Sequence, residues 1–242
     1  MNDHELAAAL ATEAGLLLLG VRAELADAEA EERKRQGDKR SHDYLMAAFA
    51  AARPGDAVLS EEGADDPVRL GAQRVWIVDP LDGTREFSEP GRQDWAVHVA
   101  LWCEGELAAG AVALPAQGVT LATPTVPAPA AWPGAPRVVV SRTRPPAVAQ
   151  RVRQQLGASL VELGSAGAKV AAVVQGRADV YVHAGGQYEW DSAAPVAVAR
   201  AAGLHTSRID GTPLRYNQAD PLLPDLVVCR AELAERVLDA VR

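Results

Sequence analysis

Nine residues, Trp76-Ile77-Val78-Asp79-Pro80-Leu81-Asp82-Gly83-Thr84, set two carboxylates where an apolar run ends. Val75 to Val78 are strand formers without a polar break, the pattern of a buried strand. Pro80 has no N–H to give to a ladder, so the strand is expected to stop there. Asp79 and Asp82 would then share a tight loop at a strand end. At about 5 Å and an effective dielectric of about 20, two such charges repel by about 3 kcal/mol. A fold that keeps them together needs a cation, a proton, or an Arg or Lys to offset the repulsion.

The rest of the chain bounds what that cation serves. At 242 residues it makes one large domain or two small ones, and 48% hydrophobic with 23% charged residues is ordinary for a globular protein. A net charge of −8 makes nucleic acid an unsuitable partner. A small anion is still possible where metal and a few Lys or Arg neutralise it locally. Cys103 and Cys229 each close an apolar run and read as buried thiols; with no CxxC or Cys/His cluster, zinc has no support. The start, Met-Asn-Asp-His-Glu, is not the basic head of a signal peptide. The apolar stretch Ala14 to Val21 is interrupted by Gly15 and Gly20 and is far below the roughly 20 residues that span a bilayer. A soluble cytoplasmic protein without membrane contact is expected.

Leu6, Leu10, Leu17, Val21 and Leu25 predict a helix to about Asp27, with Asn2 and Glu5 as a capping box. The charge-dense segment Ala28 to Arg40 reads as a solvated flexible loop, and a second helix spans Asp43 to Arg53 before Pro54-Gly55. A short strand, Ala57 to Leu59, leads into Ser60-Glu61-Glu62. Trp95–Cys103, Leu107–Leu114 and Val119–Thr123 read as a β-meander. Pro124 to Pro136, with prolines at 124, 127, 129, 133 and 136, reads as a connection. Strands at Arg137–Val140, Leu160–Leu163, Ala178–His183 and Leu226–Cys229 then alternate with helices. Those helices are opened by Pro145-Pro146, by Gly164-Ser165-Ala166-Gly167 and by Trp190-Asp191-Ser192; the last runs Ala231–Arg242. The expected organisation is an N-terminal α+β subdomain over 1–123, a Pro-rich connection over 124–136, and a C-terminal α/β subdomain over 137–242.

Four acids have matching surroundings: Glu61 after a strand, Asp79 and Asp82 together, and Asp191 at a helix start. Each has a plainer reading alone, Asp191 as a helix cap, Glu61-Glu62 as a solvated loop, Asp82-Gly83 as a turn. Together they form an oxygen donor set for a hard cation, and magnesium with a phosphate substrate suits few carboxylates plus waters. Asp79 could bridge two ions of the kind that clamp the attacking and leaving oxygens of a phosphate ester. Gly83-Thr84 opens a short helix, Arg85 to Ser88, and Gly164-Ser165 followed by Lys169 offers a second anion-binding turn. Trp76, Trp95, Trp102 and Trp132 read as core or strand residues. Trp190, beside an acid of the set, is the one candidate for substrate contact. His98 and His183 lie in apolar strands and read as core histidines.

Haloacid dehalogenase phosphatases use Asp-x-Asp-Gly-Thr near the chain start; here two residues separate the acids and the motif begins at residue 79. Asp79-Pro80-Leu81-Asp82-Gly83-Thr84, with Glu61 upstream and Trp190-Asp191 downstream, instead resembles the inositol monophosphatase superfamily over essentially the whole chain. Arg85-Glu86-Phe87, Glu189-Trp190-Asp191-Ser192-Ala193-Ala194, Ser141-Arg142 and Gly164-Ser165…Lys169 resemble its CysQ-type branch, the 3′-phosphoadenosine 5′-phosphate phosphatases. Ser165 to Lys169 and His183-Ala184-Gly185-Gly186-Gln187 are most similar to the actinobacterial members.

The resemblance implies a mixed α/β fold, a layered αβαβα sandwich, and a homodimer. It implies two or three magnesium ions. Glu61, Asp79 and the Leu81 carbonyl would hold one, and Asp79, Asp82 and Asp191 another. Thr84, paired with Asp38, would orient the attacking water. Asp38 is the position where this chain departs from the family pattern, because Lys34-Arg35-Gln36-Gly37 replaces the usual Val-Thr-x-x before it. Gly83, Thr84, Arg85, Ser141, Arg142, Gly164, Ser165, Lys169 and Trp190 would contact substrate. The implied reaction is hydrolysis of the 3′-phosphate of 3′-phosphoadenosine 5′-phosphate to AMP and phosphate. The same chemistry on inositol 1-phosphate or fructose 1,6-bisphosphate is the alternative, and a silent nucleotide-binding protein is a rival of another class.

Overall fold

The computed structural model describes residues 1–131 and 134–242, so Trp132 and Pro133 lie outside the described residues. In chain order the elements are α1 (Asp3–Glu24), α2 (Ala30–Ala52), β1 (Ala57–Ser60), β2 (Arg74–Asp82), α3 (Thr84–Ser88), β3 (Ala96–Cys103), β4 (Glu106–Leu114) and β5 (Val119–Ala122). Then follow β6 (Arg137–Ser141), α4 (Ala147–Leu156), β7 (Ser159–Leu163), α5 (Ala166–Val174), β8 (Val180–Ala184), α6 (Glu189–Ala201), β9 (His205–Ser207), β10 (Asp225–Cys229) and α7 (Ala234–Val241).

Among the described residues two five-stranded sheets form, β1-β2-β3-β4-β5 and β7-β6-β8-β10-β9. Helices α1 and α2 cover one face of the first sheet. Helices α5 and α6 fill the space between the sheets. Helices α4 and α7 cover the outer face of the second. The result is the expected αβαβα sandwich of a mixed α/β protein. The central helices are apolar nearly all round; every residue of α5 from Ala166 to Val174 is buried, as a helix between two sheets must be.

Helix α1 starts at the expected capping box, Asn2 Oδ1 accepting from Glu5 N and Glu5 Oε2 from Asn2 N, both at 2.9 Å. By length and composition alone α1 could cross a membrane. Its stripe from Leu6 to Val21 is instead buried on β3 and β4.

Two expectations give way. The segment read as a flexible loop is helical from Ala30 onward and continuous with the second predicted helix. Its charges pair along the helix, Lys34 with Glu31, Arg35 with Glu32 and Lys39 with Asp43. Its buried ridge is Gly37, Ser41, Leu45 and Phe49, four apart, so half of the stripe is not hydrophobic and escapes a periodicity search. The second concerns Pro80. Strand β2 runs past it to Asp82, which pairs with Ala96 across a register shift between Asp79 and Asp82. A bulge absorbs the missing N–H, so the two acids stand in a distorted strand end rather than a loop.

Candidate active site

The parallel pairing of β1 with β2 explains why Glu61 meets Asp79. Ser60 is level with Val78, and Glu61 N donates to Val78 O at 3.3 Å, so the next residues of both strands emerge side by side. Asp79 Oδ1 accepts from Leu81 N at 3.0 Å within the bulge. Gly83 then turns with φ of 89°, a left-handed conformation suited to glycine; a Cβ there would lie 2.9 Å from Ser165 Cβ. Asp191 arrives from the first turn of α6, where its Oδ2 accepts from Tyr188 N at 2.7 Å, so it is the third residue of the helix and Tyr188 the cap.

Carboxylate oxygens of Asp79, Asp82 and Asp191 all lie within 4.8 Å of one another. Their electrostatics differ with their partners. Asp79 is pushed well above the usual carboxylate range, first by burial and then by the charges of Glu61, Asp82 and Asp191. Asp191 is raised to about 6 by burial and by Asp82. Glu61, exposed as a residue but with its carboxyl end turned in beside Asp79, is raised to about 7 by desolvation and by the neighbouring acids. Asp82 goes the other way, down to about 2: burial opposes its charge, but His98 and hydrogen bonds from Ser165 and Gly167 outweigh it. An all-oxygen set in which Asp79, Asp191 and Glu61 are raised for want of positive charge fits a hard divalent cation.

Asp82 is held by the mouth of α5. It accepts from Ser165 Oγ at 2.6 Å, Ala166 N at 3.1 Å and Gly167 N at 2.6 Å. The Gly164–Gly167 turn thus binds an anion, and here that anion is Asp82 itself. Behind it sits His98, fully buried on β3, with Nε2 3.1 Å from Asp82 Oδ2 and Nδ1 3.0 Å from the Trp190 carbonyl. Burial alone would lower the His98 pKa, and the Asp82 charge overrides it and raises it. Gly167 makes this approach possible: a Cβ there would lie 2.1 Å from His98 Nε2. His98 is therefore a core histidine, as expected, but one wired to the acids.

A cleft of about 700 Å³ opens beside the cluster. Glu61, Asp82 and Asp191 face it, with Gly83, Thr84, Arg85, Ser141, Gly164, Ser165 and Lys169. The structure brings these sequence-predicted residues together. Others stand back. The Leu81 side chain and Asp79 are buried under the cleft. Arg142 is paired with Glu86 at 2.9 Å and Glu89 at 2.5 Å. Trp190 stacks on Tyr188, ring centroids 4.8 Å apart. Lys169 faces the cleft while its Nζ donates to the carbonyls of Gly164 and Ser165, at 2.5 and 2.8 Å. Asp38 lies on α2, raised to about 7 by burial and by Glu62, against the opposing pull of Lys34.

Sequence reasoning missed Lys34, Arg144 and Gln187, which line the cleft, and it placed His183 in the core although it lines the cleft too. It also missed how α2 reaches the acids. Ser41 Oγ donates to Pro80 O at 2.6 Å, His42 Nδ1 lies 3.0 Å from Ser60 Oγ, and Gly37 packs so closely that a Cβ would sit 2.7 Å from Phe87 and 2.8 Å from Leu81. The four-residue spacing from Gly37 to Phe49 was the signal available.

Comparison with known proteins agrees with this geometry. The model of the Inositol monophosphatase family matches residues 2–126 and 136–242. A Mycobacterium tuberculosis protein named 3′-phosphoadenosine 5′-phosphate phosphatase is 56% identical over 238 residues, 95% of this chain and 89% of its own. Its Mycobacterium leprae namesake is 53% identical over 255 residues, covering 100% and 94%. Among solved structures, CysQ from Bacteroides thetaiotaomicron superposes with a TM-score of 0.79 at 27% identity, covering 94% of this chain and 97% of that one.

Proposed function

The chain belongs to the inositol monophosphatase family, and on that premise we infer that it is a phosphoric monoester hydrolase that removes the 3′-phosphate of 3′-phosphoadenosine 5′-phosphate, giving AMP and phosphate. The observation that carries the chemistry is the meeting of Asp79, Asp82 and Asp191 at a cleft rimmed by Lys34, Arg85 and Arg144. The substrate rests on the names of relatives more than 50% identical over nearly the whole chain.

Asp79, Asp82, Asp191, Glu61 and the Leu81 carbonyl would hold magnesium, two or three ions per site. When bound, magnesium supplies a lowered pKa for a bound water and a Lewis acid for the phosphoryl oxygens. The chain's own groups do the rest. Thr84, with Asp38, orients the attacking water. The N–H groups of Gly83 and Thr84 hold phosphoryl oxygens as charge develops. Arg85, Ser141, Lys169 and the Gly164-Ser165 turn hold the remainder of the substrate, and Arg142 and Trp190 contact it by turning inward on binding. The same reading takes the working form as a cytoplasmic homodimer, sensitive to lithium.

The test is phosphate release from 3′-phosphoadenosine 5′-phosphate and from inositol 1-phosphate, side by side, with magnesium and with chelator. A strong preference for the nucleotide, lost with chelator, is expected. Equal or greater release from inositol 1-phosphate would keep the chemistry and overturn the substrate.

A further inference from the structure

Three buried side-chain polar atoms lack a hydrogen-bond partner among the described residues: Trp95 Nε1, His98 Nε2 and Gln187 Oε1. Trp95 is in the core under α1, and His98 Nε2 abuts Asp82. Gln187 is different because it belongs to the wall of the cleft. Its residue is 6% exposed. One end of its amide is engaged, Nε2 donating to the hydroxyl of the buried Tyr181 at 3.1 Å. The backbone is pinned as well, its carbonyl accepting from Leu223 N at 2.9 Å. The acceptor Oε1 is left with nothing.

A buried unpaired acceptor is costly, and natural structures rarely keep one without a use. The turn that carries it leaves room beside it for a ligand. Gly185 and Gly186 precede it with φ of 89° and 72°, and a Cβ on either would meet nothing within 4 Å. Gln187 and Asp191 line the same cleft, so one molecule with its phosphate at the acids can also reach Gln187. The phosphate has no donor to give when fully ionised. The donor must come from the group esterified to it.

We propose that Gln187 is a specificity-determining residue whose amide oxygen accepts a hydrogen bond from the nucleoside part of the substrate, an amino N–H of the base or a hydroxyl of the ribose. The proposal rests on the nucleotide reading above. Tyr181 engages the Nε2 end of the amide, which leaves Oε1 as the end for a ligand donor. An acceptor at this place favours a base with an exocyclic amino group over one with a carbonyl there, or a ribose over a deoxyribose.

The test compares kcat/KM of the wild type and of Gln187→Met on three substrates: adenosine 3′,5′-bisphosphate, inosine 3′,5′-bisphosphate and 2′-deoxyadenosine 3′,5′-bisphosphate. Inosine replaces the amino group by a carbonyl, and the deoxy compound removes the hydroxyl. The wild type should lose about tenfold or more on one of the two analogues, which identifies the donor. Gln187→Met should treat that analogue and the parent alike, at the lower rate, with a melting temperature close to wild type. Gln187→Glu, which keeps an acceptor, should retain the discrimination. Wild-type hydrolysis of all three at equal efficiency, unchanged discrimination in Gln187→Met, or a preference for inosine would each overturn the proposal while leaving the nucleotide reading intact. Failure of the wild type on all three would overturn the nucleotide reading and the proposal with it.

Discussion

At the scale of single residues, the acid cluster is a division of labour set by partners. Asp79 and Asp191 are held above the usual carboxylate range by burial and by their acidic neighbours, whereas Asp82 has four neighbours that favour its charge. Asp82 therefore both faces the cleft and tethers α5. Asp82→Asn should lower phosphate release by at least about 100-fold while far-UV circular dichroism stays native. Its melting temperature should drop by a few degrees, because Asn offers one acceptor oxygen where the carboxylate offers two to α5. Substantial turnover in this variant would count against the whole scheme.

At the scale of elements, α2 is the instructive case. Its charges are as visible in the sequence as any motif, yet they describe only the outer face. What seats it is the absence of a side chain at Gly37 and the small hydroxyl of Ser41. Gly37→Val should destabilise the protein by about 1–3 kcal/mol in urea unfolding through overpacking against Phe87 and Leu81, and turnover should fall as α2 is pushed from β2. No change in either would mean that Gly37 does not set the approach of α2 to β2. A second element-scale device ties the start of β6 to the end of β10. Buried Asp179 accepts from Arg137 Nε at 2.9 Å, from Arg137 N at 2.9 Å and from Arg230 Nε at 2.6 Å. Burial would raise its pKa, but the two guanidinium groups hold it below the ordinary value. A carboxyl with a depressed folded-state pKa stabilises above its unfolded pKa of about 3.9 and loses that stabilisation as pH falls through the lower folded value. Asp179→Asn should thus cost about 3 kcal/mol at pH 7, with a shallower loss of stability below about pH 4 than the wild type. Parallel acid limbs for the two proteins would remove Asp179 from the account. The regular strands and the central helices were legible because apolar runs and glycine punctuation report directly on burial. The reach of β2 past Pro80 and the start of α2 were not, because a bulge and a glycine contact depend on what lies across the gap.

At the scale of the whole molecule, the two sheets share one central core through α5 and α6, and the acids come from two layers: Asp79 and Asp82 from the first sheet, Asp191 from a central helix. A ligand of that cluster stabilises the global fold by mass action. Magnesium at about 100 times its dissociation constant should add about 2.7 kcal/mol, seen as a rise in melting temperature that chelator reverses. A melting temperature indifferent to magnesium would make the cluster purely structural.

By itself the sequence determined the chemistry on offer: which acids, in which order, at strand and helix ends, and an α+β half followed by an α/β half from its alternating apolar segments, while the layered sandwich was what the resemblance implied. Those are local facts, written in spacing and in the refusal of apolar runs to face water. Only the tertiary structure decided what each polar group is doing. Asp82 is shared between the cleft and α5, Arg142 is engaged by two glutamates, His183 is in the cleft rather than the core, and Gln187 has half an amide unspoken for. Hydrogen bonds and ion pairs act over a few ångströms between residues as far apart in the chain as Arg69 and Gln218, 149 positions, and no window along the chain contains both partners.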